Sequence, residues 1–104
     1  MGIQQQADCR LGDALFSKTQ QKVLGLLYGN PDRSYYAKEI VRFAGVGIGG
    51  VYRELEKLSA VGVLKVKRIG NQKHYQANRE SLIYEELANL LRKVSGATNM
   101  EAAE

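Results

Sequence analysis

Hydrophobic residues recur at helical spacing in four parts of this chain, three of which lie within residues 13–61. In residues 13–28 they fall on one side, which predicts a helix capped by Asp13 and ended by the turn at 29–31. Residues 37–44 and 48–61 show the same spacing and predict two further helices, with a tight glycine-rich connection between them. We therefore expect two helices in the middle of the chain that are joined by a tight connection and cross steeply.

Short strands are predicted on either side of the helix pair. Residues 34–36 have the composition of a short edge strand. Residues 63–69 alternate, so that Leu64 and Val66 are expected to face the core while the intervening lysines face outward. After a glycine turn, residues 73–77 return as the partner strand, which completes a predicted hairpin.

A last helix is predicted over residues 79–94, and its apolar stripe is wide for so small a core. We expect part of this stripe, together with the first helix, to contact a second copy of the chain. The residues expected at this dimer interface are Phe16, Ile83, Leu87, Leu90, Leu91 and Val94.

These elements predict a mainly α fold with a small β-hairpin, of the α+β class. At 104 residues, 44% of them hydrophobic and 25% charged, the chain has the size of one domain. We assign residues 1–12 to a flexible arm, 13–94 to the domain and 95–104 to a flexible tail. Cys9 is the single cysteine, and no apolar run approaches the roughly 20 residues of a membrane span, so we expect a cytoplasmic protein with no membrane association.

The positive charge is concentrated in one stretch. The formal net charge is +4 and the pI is about 9.3, while residues 49–76 alone contain six basic and two acidic residues. The segment after residue 79 is acidic, so the excess lies in the third helix and the hairpin. This distribution favours a polyanionic partner.

Enzymatic chemistry is not indicated. Residues 45–50 satisfy the G-x-G-x-x-G pattern of dinucleotide-binding loops, but a charged helix precedes them and no acid lies about 20 residues on. His74, the single histidine, has no carboxylate or cysteine beside it in the sequence. We expect no catalytic residue, no cofactor and no metal ligand.

The order of the elements resembles a winged helix-turn-helix domain. The run VYRELEKLSAVGVL at residues 51–64 is similar to the V-x-R-x-L-x-x-L-x-x-x-G-[LV]-[LV] signature of ArsR- and MarR-type regulators. Residues 70–78, GNQKHYQAN, look like the wing of the subgroup often attached to nucleotidyltransferase domains. The resemblance implies a dimer that binds double-stranded DNA, with helix 48–61 in the major groove and wing 64–77 on the minor groove and phosphates.

Two departures from the family bear on specificity. The family usually begins its recognition helix with Ser or Thr and further hydrogen-bonding side chains, whereas this chain has Gly47, Ile48, Gly49 and Gly50. The cysteine pair of the metal-sensing members is missing, so metal-controlled release of DNA is not expected. Base specificity is therefore expected to be modest, with a large electrostatic share.

Arg53 is the strongest candidate for base recognition, because a guanidinium pairs bidentately with guanine, and Tyr52 is expected to contact a thymine methyl or a phosphate. The predicted DNA-binding residues are Ile48, Gly49, Gly50, Tyr52, Arg53, Lys57, Lys67, Arg68, Asn71, Gln72 and Lys73.

Two other functions stay open at this point. One is a winged helix that binds protein or RNA, and the other is a regulatory or antitoxin-like partner of a separately encoded nucleotidyltransferase.

Overall fold

The computed structural model describes residues 9–94, which form helices and a three-stranded antiparallel sheet. In chain order the elements are α1 (Cys9–Leu15), α2 (Lys18–Gly29), β1 (Tyr35–Tyr36), α3 (Ala37–Ala44), α4 (Ile48–Ala60), β2 (Leu64–Ile69), β3 (Gln72–Ala77) and α5 (Tyr84–Val94). The sheet order is β1-β3-β2, with Tyr35 opposite Tyr75 and Leu64 opposite Ala77. This is a winged helix fold, in which α3 and α4 form the helix-turn-helix and β2 and β3 form the wing.

The core lies where α2, α3, α4 and the base of the wing meet. Val23 and Leu27 of α2, Ile40 of α3, and Val51 and Leu55 of α4 are fully buried in it. Each lies on the apolar stripe of its helix, so burial of these stripes holds the helices together. Leu58, also expected to face inward, is half-buried at the edge of the core.

The predicted helix over residues 13–28 is two helices, and Asp13 is not its cap. Ser17 begins α2 instead, because its hydroxyl accepts a hydrogen bond from the Gln20 amide at 3.1 Å and the Gln20 side chain accepts one from the Ser17 amide at 2.9 Å. Asp13 lies inside α1 and accepts a hydrogen bond from the Gln21 side chain at 2.9 Å. The reciprocal bonds at Ser17 fix a new helix start where the hydrophobic spacing alone suggested continuity.

The predicted arm and tail lie mostly outside the described residues. Residues 1–8 and 95–104 are not among the described residues, so their assignment to a flexible arm and tail stays a prediction. Residues 9–12 were included in the arm, but they belong to α1. This helix packs closely on its neighbours, since a Cβ added at Gly12 would come within 2.9 Å of the Gln21 side chain and 3.0 Å of the Val94 carbonyl oxygen.

The last helix begins at Tyr84, five residues later than the hydrophobic pattern predicted. The preceding residues form turns, in which the Asn78 carbonyl oxygen accepts from the Ser81 amide and the Asn78 side chain accepts from the Glu80 amide. These short-range bonds compete with a helical turn. The ring of Tyr84 then stacks on that of Tyr28, with centroids 5.3 Å apart, which attaches α5 to α2.

The wing protrudes beyond the helices, and this corrects the prediction for Val66. Leu64 is buried as expected, but Val66 is 40% exposed. Along β2 only Leu64 is buried, because the strand leaves the helical layer immediately after it. The hairpin turns at Gly70, whose φ of +64° favours glycine, and Gln72 belongs to β3 rather than to the turn.

Candidate nucleic-acid interface

The start of α4 is open to the solvent. Its N-cap is Gly47, which makes no side-chain capping bond, and Ile48 is exposed. A Cβ added at Gly47 or Gly49 would meet no atom within 4 Å, and one added at Gly50 would touch Thr19 at an ordinary 3.6 Å. Packing inside the chain therefore does not require glycine at these positions, and the helix backbone is accessible from outside.

The exposed face of α4 presents Tyr52 and Arg53 immediately after these glycines. The Tyr52 side chain is 47% exposed, and Arg53 is also exposed. Among residues 9–94, the Arg53 side chain makes no hydrogen bond or ion pair, so its guanidinium is available to an external acceptor. Both side chains thus lie on the exposed face of α4, while their contact with DNA stays a prediction.

Lys57 differs from the other predicted contact residues of α4. It lies in the last turn of the helix, and its ammonium is 3.4 Å from the Glu54 carboxylate. A helix that enters a groove by its N-terminus carries this turn away from the groove floor. Of the predicted contact residues on α4, Lys57 lies farthest from the helix start, and its ammonium already has an ion-pair partner.

The cations of the wing are divided between its two faces. Arg68 is paired across the hairpin with Lys73, and Lys67 with His74. Because residues directly opposite each other in an antiparallel pair lie on the same face, Arg68 and Lys73 share the face that also carries Tyr75. Lys67 lies on the other face with His74, whose ring is 5.6 Å from that of Tyr36.

A cleft of about 440 Å³ separates the wing from the helices, and we call it the wing cleft. Its lining residues come from the start of α3, the exposed face of α4 and the wing. They are Tyr36, Ala37, Lys38, Tyr52, Glu56, Arg68, Asn71, Gln72, Lys73 and Tyr75. Five of the predicted DNA-binding residues meet here, namely Tyr52, Arg68, Asn71, Gln72 and Lys73.

The wing cleft also contains charged residues that the sequence did not assign to a site. Lys38 adds a cation at the start of α3, and Glu56 adds a carboxylate on α4. The Glu56 carboxylate is 3.7 Å from the Lys73 ammonium. Glu56 lies four residues after Tyr52, so helical periodicity places both on one face, whereas nothing in the sequence relates it to Lys73.

The tyrosine at the floor of the wing cleft is neutral at physiological pH. Burial raises the pKa of the Tyr75 hydroxyl above its usual value of 10, and the Glu56 carboxylate and Tyr52 raise this pKa further. Tyr75 is 2% exposed and belongs to the core. It supports the cleft from below, and its ring packs with the residues that hold β3 against the helices.

The six residues predicted at a dimer interface do not all remain accessible. Leu87, Leu91 and Val94 are buried within the chain, where α5 packs on α1 and α2, so they have almost no surface left for a second subunit. Phe16 is half-buried against the core. The residues of this region that stay exposed are Ile83 and Leu90 from the predicted set, and in addition Leu11, Leu15 and Leu82.

Sequence comparisons identify no relative of this chain. No protein-family model matches it, and no curated protein matches it. A solved structure does resemble it, a predicted DNA-binding transcriptional regulator from E. coli, with a TM-score of 0.62 over 80% of this chain and 84% of that chain. The sequence identity is 20%, so this likeness supports the winged helix fold.

Residues 9–94 contain neither a cluster of metal-binding side chains nor a helix that could cross a membrane. No group of three or more His, Cys, Asp or Glu side chains in this range is placed to hold a metal ion. Within the same range, no helix has both the length and the apolar character required to cross a membrane.

Proposed function

We propose that this chain is a transcriptional regulator that binds double-stranded DNA as a homodimer. Its recognition helix α4 enters the major groove by its N-terminus, and its wing lies on the adjacent minor groove and phosphates. The observation that carries this proposal is that the exposed face of α4, through Tyr52, and the basic wing line one cleft. The likeness in fold to a protein described as a DNA-binding regulator supports the same conclusion.

The helix is suited to limited base reading. Gly49 and Gly50 allow its backbone to come close to the DNA, and the free backbone amides of a helix start attract phosphate. Arg53, which has no partner among the described residues, reads guanine through O6 and N7. With one long side chain free to read bases, selectivity depends largely on DNA shape and backbone position.

The wing supplies affinity that depends little on sequence. Lys67 and Arg68 are exposed on opposite faces of β2, so they reach phosphates on both sides of the hairpin. Each phosphate contact contributes about 0.9 to the slope of log affinity against log salt. Asn71 and Gln72 at the tip of the wing extend this contact toward the minor groove.

We infer that a two-fold dimer forms through α1 and α5. A single winged helix covers one half-site, and symmetric pairing of two half-sites raises both affinity and selectivity. The exposed Ile83 and Leu90 lie on the surface best suited to this contact. The resemblance to ArsR- and MarR-type regulators stays a prediction from residues 51–78. The same holds for partnership with a nucleotidyltransferase.

Binding of fluorescently labelled duplexes tests the proposal. Sites are first selected from random DNA, and the selected duplex is then compared with a scrambled one by anisotropy over a range of salt concentrations. Arg53→Ala should lower the affinity for the selected duplex by about 5-fold to 150-fold. It should change the affinity for the scrambled duplex very little. Lys67→Ala combined with Arg68→Ala should weaken both duplexes and reduce the salt slope by about 1.8.

Lys22→Ala provides the matched control, because Lys22 is an exposed lysine on α2 outside the cleft. It should leave both duplexes almost unaffected. If the wild-type protein binds no duplex even at 50 mM salt, the proposed function is wrong. Preferential binding of a double-stranded RNA would favour the alternative of an RNA-binding module, since the narrow major groove of A-form RNA excludes a helix such as α4.

A further inference from the structure

Glu56 is the only acidic residue among those that line the wing cleft in the described part of the chain. About two thirds of its side chain is exposed, and its carboxylate lies 3.7 Å from the Lys73 ammonium, whose side chain is about half exposed. This pair joins α4 to β3 across the cleft, between the two elements that are proposed to enter adjacent grooves. A negative charge is unexpected on a surface that is otherwise suited to a polyanion.

The position of the pair relative to DNA follows from the proposed docking. The major and minor grooves of a duplex are separated by a sugar-phosphate strand. If α4 occupies one groove and the wing the next, this strand has to cross the wing cleft. Its phosphates then lie opposite the cations Lys38, Arg68 and Lys73, and also opposite Glu56.

The Glu56–Lys73 pair is weak enough to be exchanged. Both side chains are largely in solvent, and ion pairs of this kind contribute about 0–1 kcal/mol. A phosphate that comes close to Lys73 therefore competes effectively with Glu56. At a greater distance, the phosphate gains little attraction from Lys73, because the Glu56 carboxylate offsets the Lys73 charge and itself repels the phosphate.

We propose that Glu56 is a specificity-determining residue that restrains Lys73 and lowers the affinity of the protein for DNA in general. Lys73 contacts a phosphate only where the shape of the strand brings that phosphate close enough to displace Glu56. Selectivity arises here by weakening the binding of competing sequences, which is one of the two ways in which a protein discriminates between partners. This inference rests on the proposed DNA-binding function.

Glu56→Gln tests the inference because it preserves the size of the side chain and removes its charge. On the scrambled duplex we expect the salt slope to steepen by about 0.9, the contribution of one additional phosphate contact. With this slope difference, the ratio of variant to wild-type affinity for scrambled DNA should increase by up to about eightfold when the salt concentration falls from 1 M to 0.1 M. The selected duplex should gain less, so the ratio of selected to scrambled affinity should fall.

A second substitution shows whether the gain acts through Lys73. In the wild-type background, Lys73→Gln should reduce the salt slope on scrambled DNA by clearly less than about 0.9, because Glu56 already offsets much of the Lys73 charge. In the Glu56→Gln background, the same change should reduce the slope by about 0.9. This non-additivity distinguishes a restraint on Lys73 from a simple change in net charge.

Glu80→Gln is the control for net charge, since Glu80 is exposed in the turn before α5 and does not line the cleft. If Glu56→Gln binds scrambled DNA no tighter than Glu80→Gln, the inference is overturned while the proposed function stands. If Glu56→Gln weakens binding to the selected duplex alone, Glu56 contributes directly to binding that duplex, and the inference is overturned. A wild-type protein that binds no DNA overturns both the inference and the proposed function.

Discussion

Replacement of Gly49 by alanine is expected to stabilise the fold while it impairs DNA binding. Gly49 lies in the first turn of α4, and a Cβ built on it meets no atom within 4 Å. Alanine therefore adds no clash, and it removes the conformational freedom that glycine retains in the unfolded chain. Alanine is favoured over glycine in helices by about 0.8–1 kcal/mol, and we expect about 0.5–1 kcal/mol in this first turn.

The stability change is large enough to measure by thermal unfolding. For a domain of this size, about 1 kcal/mol corresponds to a shift of about 4–8 °C in Tm, so Gly49→Ala should raise Tm by about 2–8 °C. DNA affinity should fall in the same variant, because the added methyl group stands where we propose that the helix backbone approaches the duplex. A gain in Tm together with a loss of affinity excludes misfolding as the cause of the loss.

Two other glycines are matched controls with the opposite expectation. Gly47 has equally open surroundings, but it is the N-cap of α4, where alanine is less favourable, so Gly47→Ala should cost about 0.5 kcal/mol. Gly62 has a φ of +83°, and alanine there should cost about 1–2 kcal/mol. If Gly49→Ala lowers Tm, or if all three variants shift Tm in the same direction, the reasoning from local conformation is refuted.

Further predictions concern the core and the interface. Tyr28→Phe should cost about 0.5–1.5 kcal/mol in urea unfolding, because the Tyr28 hydroxyl donates a 2.7 Å hydrogen bond to the Val63 carbonyl oxygen. Burial raises the pKa of Tyr28 to about 12, so wild-type stability should fall as pH rises from 10 to 12, where the unfolded chain loses this proton first. Tyr28→Phe should reduce that loss, and an unchanged pH profile would contradict the assignment. The double substitution Ile83→Asp with Leu90→Asp should give folded monomers in sedimentation, because both residues are exposed. By contrast, Leu91→Ala should lower the free energy of unfolding by about 2–5 kcal/mol, because Leu91 is buried.

The pattern of residues along the chain predicted the helix-turn-helix and the hairpin closely. The bounds of α3 agree with the prediction, α4 ends one residue early, and the wing strands differ by one residue. These features depend on local causes, namely helical spacing, alternation and glycine at turns, all of which are visible along the chain. The start of α2 at Ser17 also had a local signal, since Ser17 and Gln20 have the spacing of a capping box.

Tertiary structure alone decided which predicted surfaces remain available. Leu87 and Leu90 belong to the same apolar stripe, yet Leu87 packs inside the chain while Leu90 is exposed, because α1 and α2 cover only one side of α5. Val66 lies on the same face of β2 as Leu64, as the alternation predicted, but it is exposed because it lies beyond the helical layer. The contact of Glu56 with Lys73 joins residues 17 positions apart on different elements, and periodicity carries no information about such pairs. Local spacing fixes the direction of a side chain on its own element, whereas its neighbours depend on how the elements pack.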